Sequence, residues 1–398
     1  MTIPFADRLA SIETSAIREL FKLLGKPGII SFAGGFPDPS LFDIEGIRSA
    51  SELALSDASA GAVLQYGATE GVPALRGALS RYMQTQGCRV AADELIVTTG
   101  SQQALDLLGK TLISPGDKVI VEGPTFLATI QCFRLYGAEL ITAPIDEHGV
   151  QVDQLEHLIV TQQPKLIYLI PNFGNPSGAT LSLERRKRIL QLAAAHRVVV
   201  IEDDPYGQLY FDTPPPPSLL SLSQEVPGSR DYLCYCGSLS KTLAAGLRVG
   251  WLVAPPAVLA KAVMCKQFSD AHTSNLSQQI AYNYLESGRM PAALAHARSI
   301  YAQRARTMCQ ALTQAFGEAL AFTAPQGGLF IWARLTGANG QPTQAGAFAQ
   351  RAIEQLVAFV PGAPFFAQAP DAACLRLSFA TADEASIVEG VKRMAAAL

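Results

Sequence analysis

LIVTTGSQQALDLLGKTLI, residues 95–113, places a short β-rich run, a glycine turn at Gly100 and a helical stretch in direct succession. The opening LIVTT is continuously apolar or β-branched, the pattern of a strand buried on both faces. The same alternation continues downstream. KVIVE (118–122), KLIYLI (165–170) and VVVIED (198–203) read as further strands, and LERRKRILQLAAAHR reads as a helix between two of them. Helices between buried strands permit parallel pairing, so this texture predicts an open α/β fold: a mostly parallel central sheet with helices on both faces. YLCYCG (232–237) and VGWLVA (249–254) are two more strands that complete the sheet.

After about residue 285 the texture changes. A helical stretch over roughly 292–316 leads to paired strands around GGLFIWARL, another helix, AFV, LRLSF and a last helix, the pattern of a smaller α+β domain. A chain of 398 residues is long for a single domain. The expected division is an N-terminal segment, 1–45, contributing to the small domain and the substrate site, a large domain over 46–285, and a small C-terminal domain over 286–398.

Composition narrows the function. Hydrophobic residues make up 49% and charged residues 16%, enough for a large core. A net charge of −3 with both signs scattered gives no reason to expect nucleic acid or an anionic membrane as partner. The start MTIPFADRLASIETS lacks the layout of a secretory signal, and runs such as LIYLI are too short to span a bilayer. A cytoplasmic protein is expected. Seven cysteines suggest no disulfide framework, and Cys234 and Cys236 in YLCYC read as buried strand residues. Five scattered histidines show no metal spacing, so no metal is expected.

Four loops at predicted strand ends carry chemistry. In GSLSKTLAAGLRVGW (237–251) the Lys241 amine can form a Schiff base with an aldehyde, while Ser238, Ser240 and Arg248 can bind a phosphate. A bare SxSK is more often an ordinary surface loop; the following GLRVGW favours the chemical reading. In TTGSQQALDLL (98–108) the chain turns at Gly100 and enters a helix with Ser101 as a plausible N-cap, an arrangement that suits an anion. Such turns also occur without any ligand. Neither a GxGxxG nor a GxxxxGK[ST] run is present, which removes the usual nucleotide sites. In VVVIEDDPYG, Asp203 sits at the carboxyl end of a strand, where a carboxylate can keep a pyridine nitrogen protonated, and Tyr206 can hydrogen-bond a phenolic oxygen. A solvated acidic pair fits EDD equally well. In PNFGNPSG (171–178), Asn175 presents an amide to the same oxygen or simply makes a turn.

Taken together with SFAGGFPDPSLF (31–42), QYGATEG (65–71), PQGGLFIW and LRLSF, these motifs resemble the class I/II aminotransferases of pyridoxal-phosphate (PLP) fold type I over nearly the whole chain. Within them the chain is most similar to the 2-aminoadipate and aromatic aminotransferase branch. The resemblance implies pyridoxal 5'-phosphate as cofactor. Lys241 would carry it and shuttle the proton, Asp203 would pair with the ring nitrogen, and Asn175 and Tyr206 would hold the phenolic oxygen. Gly100, Ser101, Gln102, Ser238, Ser240 and Arg248 would surround the phosphate, and Phe126 would stack on the ring. Tyr66 would reach the phosphate of a neighbouring subunit, making a homodimer with shared sites. Arg376 in LRLSF would clamp the substrate carboxylate in the bidentate manner that suits arginine, helped by backbone near Gly35.

The implied reaction moves the α-amino group of an amino acid (2-aminoadipate, glutamate, aromatic or other hydrophobic) to a 2-oxo acid such as 2-oxoglutarate, in a ping-pong cycle. Phe126 replaces the tyrosine usual in this branch, Gly174 the usual glutamine and Ser177 a common threonine. With Phe126 the stacking can survive while any hydroxyl contact is lost; Gly174 and Ser177 remove no catalytic atom and bear on substrate preference. Arg18, in SAIRE (15–19), would suit a dicarboxylic side chain. Facing an apolar one it would cost roughly 3–5 kcal/mol unless the segment swung away. A solvated arginine on an amphipathic helix would look the same. A PLP-dependent lyase or decarboxylase would share every cofactor residue. A non-catalytic binding protein is disfavoured by the intact Lys241, Asp203, Asn175 and Arg376 set, and a winged-helix regulator by a fold that begins within the first few dozen residues.

Overall fold

The computed structural model describes residues 3, 5–9, 27–336 and 343–398. Its strands, in chain order, begin with β1 (Ile30–Ser31) and continue with β2 (Leu95–Thr98), β3 (Lys118–Gly123), β4 (Glu139–Asp146) and β5 (Gly149–Val150). Then come β6 (Leu166–Leu169), β7 (Val199–Asp204), β8 (Leu233–Ser238) and β9 (Gly250–Val253). β10 (Leu320–Phe322), β11 (Phe330–Leu335), β12 (Val357–Ala358), β13 (Val360–Pro361) and β14 (Cys374–Ser378) follow.

The eight-stranded sheet has the order β2-β9-β8-β7-β6-β3-β4-β5. β8, β7, β6, β3 and β4 pair in parallel, as the unbroken apolar runs of the first four predict. β9 runs antiparallel to both β8 and β2. The reason is chain length: residues 239–249 join β8 to β9 with no crossover helix, and parallel pairing needs a dozen or more residues with one. β4 is missing from the sequence reading, because its half-buried ELITAPID, broken by Pro144, lacks the continuous apolar run of its neighbours.

Burial explains the sheet's stability. Val97, Val121, Leu166, Leu169, Ile201, Cys234 and Cys236 are each fully buried, and an aliphatic side chain gains about 1.5–3 kcal/mol from complete burial. The alternation of β9 does not disturb the direction of the others. The carboxyl ends of β2, β3, β6, β7 and β8 therefore lie along one edge, where open α/β sheets bind ligands.

The second sheet, β10-β11-β14-β13, is antiparallel. Two long helices, Met290–Phe316 and Glu384–Ala396, pack against each other beside it. β1 pairs in parallel with β12, matching Ile30 with Val357. The Phe32 amide then donates to the Ala358 carbonyl, and the Phe32 carbonyl accepts from the Ser378 amide. Residues 30–35 are thereby fixed against the C-terminal part of the chain. Among the described residues no helix is long and apolar enough to cross a membrane.

Candidate active site

A cavity of about 380 Å3 opens where the carboxyl edge of the large sheet meets β14. Asp203 reaches it from the end of β7. The carboxyl is 2% exposed, and its Oδ2 accepts the Tyr168 hydroxyl at 2.8 Å. Its Oδ1 has no partner although it is buried. Burial, with Asp204 next in the chain, outweighs the Tyr168 hydrogen bond and pushes the Asp203 acid up to about 7. A buried acceptor left open is costly unless a ligand fills it.

Lys241 stands across the cavity in the wide helical turn Ser240–Ala244, directly after β8. Its Nζ donates to the Gly35 carbonyl at 2.5 Å. Burial, then the positive charges of Arg376 and Arg248, lower its amine to about 8. A lysine of this kind is neutral far more often at neutral pH than an ordinary exposed one, and the neutral form is the one a nucleophile or base requires.

The anion end is built from backbone. Gly100 occupies the N-cap of the helix Ser101–Leu112 with φ 77° and ψ 168° and supplies no side-chain cap. This corrects the sequence expectation: Ser101 is the first helical residue, because only glycine tolerates the cap's backbone angles. The Ser101 and Gln102 N–H groups are thus available to an anion at the positive end of the helix, while that of Gln103 donates to the Gly100 carbonyl. Arg248, itself at φ 54°, closes the cup by donating to Ser240 Oγ and the Thr99 carbonyl, both at 3.3 Å. A Cβ on Gly100 would lie 2.6 Å from Arg248 Nη2, and one on Gly250 2.7 Å from the Ser101 nitrogen. Gly100→Ala is therefore expected to lower the unfolding free energy by about 1–3 kcal/mol, read from a urea melt.

Arg376, central in β14 and 3% exposed, faces the other end. Its guanidinium donates to Asn175 Oδ1 at 2.8 Å and to the Ala33 carbonyl at 2.7 Å. It lies 4.4 Å from the Phe330 ring centre and 4.9 Å from that of Phe365. Its Nε has no partner, and among the described residues no carboxylate pairs with it. Burial pushes it down to about 10. Such a cation calls for an anionic ligand. Tyr206, 4% exposed and edge-on to Phe330, stands beside Asn175 between the two ends, and burial pushes its phenol up.

The structure therefore gathers Gly35, Ser101, Gln102, Phe126, Asn175, Asp203, Tyr206, Ser238, Ser240, Lys241, Arg248 and Arg376 around one cavity. Gly100 stands directly behind Arg248. Tyr66 is elsewhere: it is 84% exposed, edge-on to His272, and does not line this cavity. Arg18 lies outside the described residues.

Two contributors escaped the sequence reading. Tyr168 was one letter in an apolar strand, although a hydroxyl in a fully buried run must find a partner, which is the signal that could have found it. Lys266, fully buried, donates to Asp270, to Thr273 Oγ1 at 3.0 Å and to Gln103 Oε1 at 3.1 Å. Gln103 Oε1 also accepts the Thr99 amide at 2.7 Å, so this network props the turn that leads into Gly100. Nothing in the local sequence distinguishes Lys266 from a solvated lysine.

Comparison with known proteins decides the family. The family model described as aminotransferase class I and II matches residues 41–394. The chain belongs to the class I and II aminotransferases. This aminotransferase is 41% identical over 396 residues to the 2-aminoadipate transaminase of Thermus thermophilus, covering 99% of this chain and 96% of that one. It is 36% identical to aromatic-amino-acid aminotransferase 1 of Thermococcus litoralis, covering 98% and 93%. Among solved structures, LysN, an α-aminoadipate aminotransferase from Thermus thermophilus complexed with N-(5'-phosphopyridoxyl)-L-leucine, superposes with a TM-score of 0.91 at 40% identity, covering 99% and 97%. The aminotransferase thus has the fold type I architecture expected from its sequence.

Proposed function

We propose that the aminotransferase moves the α-amino group of 2-aminoadipate, glutamate, an aromatic or another hydrophobic amino acid to a 2-oxo acid such as 2-oxoglutarate, using one site in ping-pong fashion. The observation that carries this reading is the convergence of three buried, incompletely satisfied groups on one cavity: Asp203 Oδ1, the Lys241 amine and the Arg376 guanidinium. Pyridoxal phosphate is the expected cofactor, and the residues fit it. The glycine-made cup with Arg248, Ser238 and Ser240 suits its phosphate, the open Asp203 Oδ1 suits its ring nitrogen, and Asn175 with Tyr206 suits its phenolic oxygen. Phe126 offers a flat apolar face.

When bound, the cofactor supplies an aldehyde that takes up amines and a protonated ring that accepts electrons. The chain's own groups do the rest. Lys241 Nζ, neutral in part near pH 7, takes a proton and returns it elsewhere. Asp203, whose charged form the Tyr168 hydrogen bond favours against burial, would share a proton with the ring nitrogen and keep that nitrogen protonated. Arg376 grips the α-carboxylate shared by donor and acceptor, which fixes orientation and leaves the side chain to vary.

Tyr66, out in solvent on its own chain, supports a homodimer in which it reaches the partner's phosphate. The pairing of β1 with β12 supports residues 1–45 and 286–398 as the smaller domain beside 46–285. Seven free cysteines suit the reducing cytoplasm.

The test is the absorbance spectrum of PLP-loaded protein before and after glutamate. Conversion to the pyridoxamine form, reversed by 2-oxoadipate or an aromatic oxo acid, is the expected result. Cofactor uptake with no conversion by any amino acid would turn the reading toward lyase chemistry. No uptake would end it.

A further inference from the structure

We propose that Tyr168 is a positioning residue that sets how strongly Asp203 holds the ring nitrogen of the cofactor. The inference rests on the reading of this site as a pyridoxal-phosphate site and adds a residue to it.

The geometry begins with strand register. β6 and β7 are parallel, with Tyr168 paired to Ile201. Side chains in register point to the same face, and so does the residue two further along, Asp203. Two residues of strand span about 6.6 Å, a distance a tyrosine side chain bridges. Its ring is fully buried and fixed edge-on to Phe133, with centres 5.9 Å apart at 87°. The hydroxyl therefore arrives at Asp203 Oδ2 at 2.8 Å without a mobile side chain to order.

A phenol has one proton to give. Burial holds the Tyr168 phenol well above its usual value, so the group remains a donor. Donation to Oδ2 does two things. It directs the unpartnered Oδ1 to serve the cofactor, and it favours the charged carboxylate against burial and against neighbouring Asp204. Without this hydrogen bond Asp203 would be a poorer partner for a protonated ring, and it could rotate to present either oxygen. A phenylalanine would fill the same space and keep the contact with Phe133, so the hydroxyl can be removed without opening a cavity.

The experiment compares wild-type, Tyr168→Phe, Asp203→Asn and the double variant as apoproteins titrated with pyridoxal phosphate, with circular dichroism to confirm folding. A charge-assisted hydrogen bond lost from a buried carboxylate corresponds to about a tenfold or greater change in affinity. Tyr168→Phe is expected to weaken cofactor binding by that factor, shift the absorption maximum of the bound cofactor, and lower kcat with little change in the KM for the amino acid. In the Asp203→Asn background the same change should add almost nothing, since the two residues act as a unit. Affinity and spectrum equal to wild type in Tyr168→Phe would overturn the proposal. Equal, additive losses in both backgrounds would overturn it too, by assigning Tyr168 a packing role independent of Asp203. Failure of the wild-type chain itself to bind the cofactor would instead refute the underlying site reading.

Discussion

Lys241→Ala is expected to lower transamination by at least about 10^4-fold, the upper range for removing a general acid–base group alone. It should also abolish the absorption band of lysine-attached cofactor. The large effect follows from position: among the described residues no other lysine lines the cavity. Loosely bound pyridoxal phosphate should persist in the variant, because the phosphate cup and Asp203 are untouched. A spectrum of free-aldehyde type with residual affinity is the expected signature, and wild-type turnover would refute the assignment. The wild-type chain carries a matching pH dependence. The amine is lowered to about 8, so it is mostly protonated below that pH and mostly neutral above it. The rate at which apoprotein captures the cofactor should therefore rise with pH and level off above about 8, where an ordinary exposed lysine would still be rising.

Arg376→Leu is expected to reduce kcat/KM by about 30- to 5000-fold, the range for truncating one partner of a buried charge pair at about 2–5 kcal/mol. The loss should be nearly equal for every α-amino acid and for the oxo acid, because the grip is on the group they share. Unequal losses, large for one side chain and absent for another, would place Arg376 in side-chain recognition instead. Arg376→Lys should recover only part of the activity, since an ammonium cannot reproduce the forked contacts of the guanidinium.

Most of the large sheet was legible because buried parallel strands are written as continuous apolar runs, and LIVTT, KVIVE, KLIYLI and VVVIED all became strands at nearly the stated places. β4 was not legible, since strands near an edge alternate and this one contains a proline. The site was legible where its chemistry is local. Lys241 with its flanking serines, Asp203 at a strand end and Asn175 in its turn are each defined within a few residues. What failed was side-chain work across the sheet. Tyr168 acts on Asp203 from a neighbouring strand, and Lys266 acts on the Gly100 turn from a helix far along the chain, so neither leaves a local pattern. The misplaced N-cap has the same origin. Ser101 is the better capping residue by type, but the positive φ of the cap position and the close approach of Arg248 require glycine there.

The pairing of Ile30 with Val357, and of Arg376 with the carbonyl of Ala33, has a consequence for how the molecule is made. A chain leaving the ribosome releases β1 early, and β1 must wait for almost the entire remaining polypeptide before a partner strand exists. The eight-stranded sheet is complete once β9 has emerged, and with it Lys241, Asp203 and the phosphate cup. Domains fold as units from the N-terminal side during synthesis. On the proposed reading of the site, the nascent protein acquires the groups that would hold the cofactor well before Arg376, the group that would grip a substrate, is delivered.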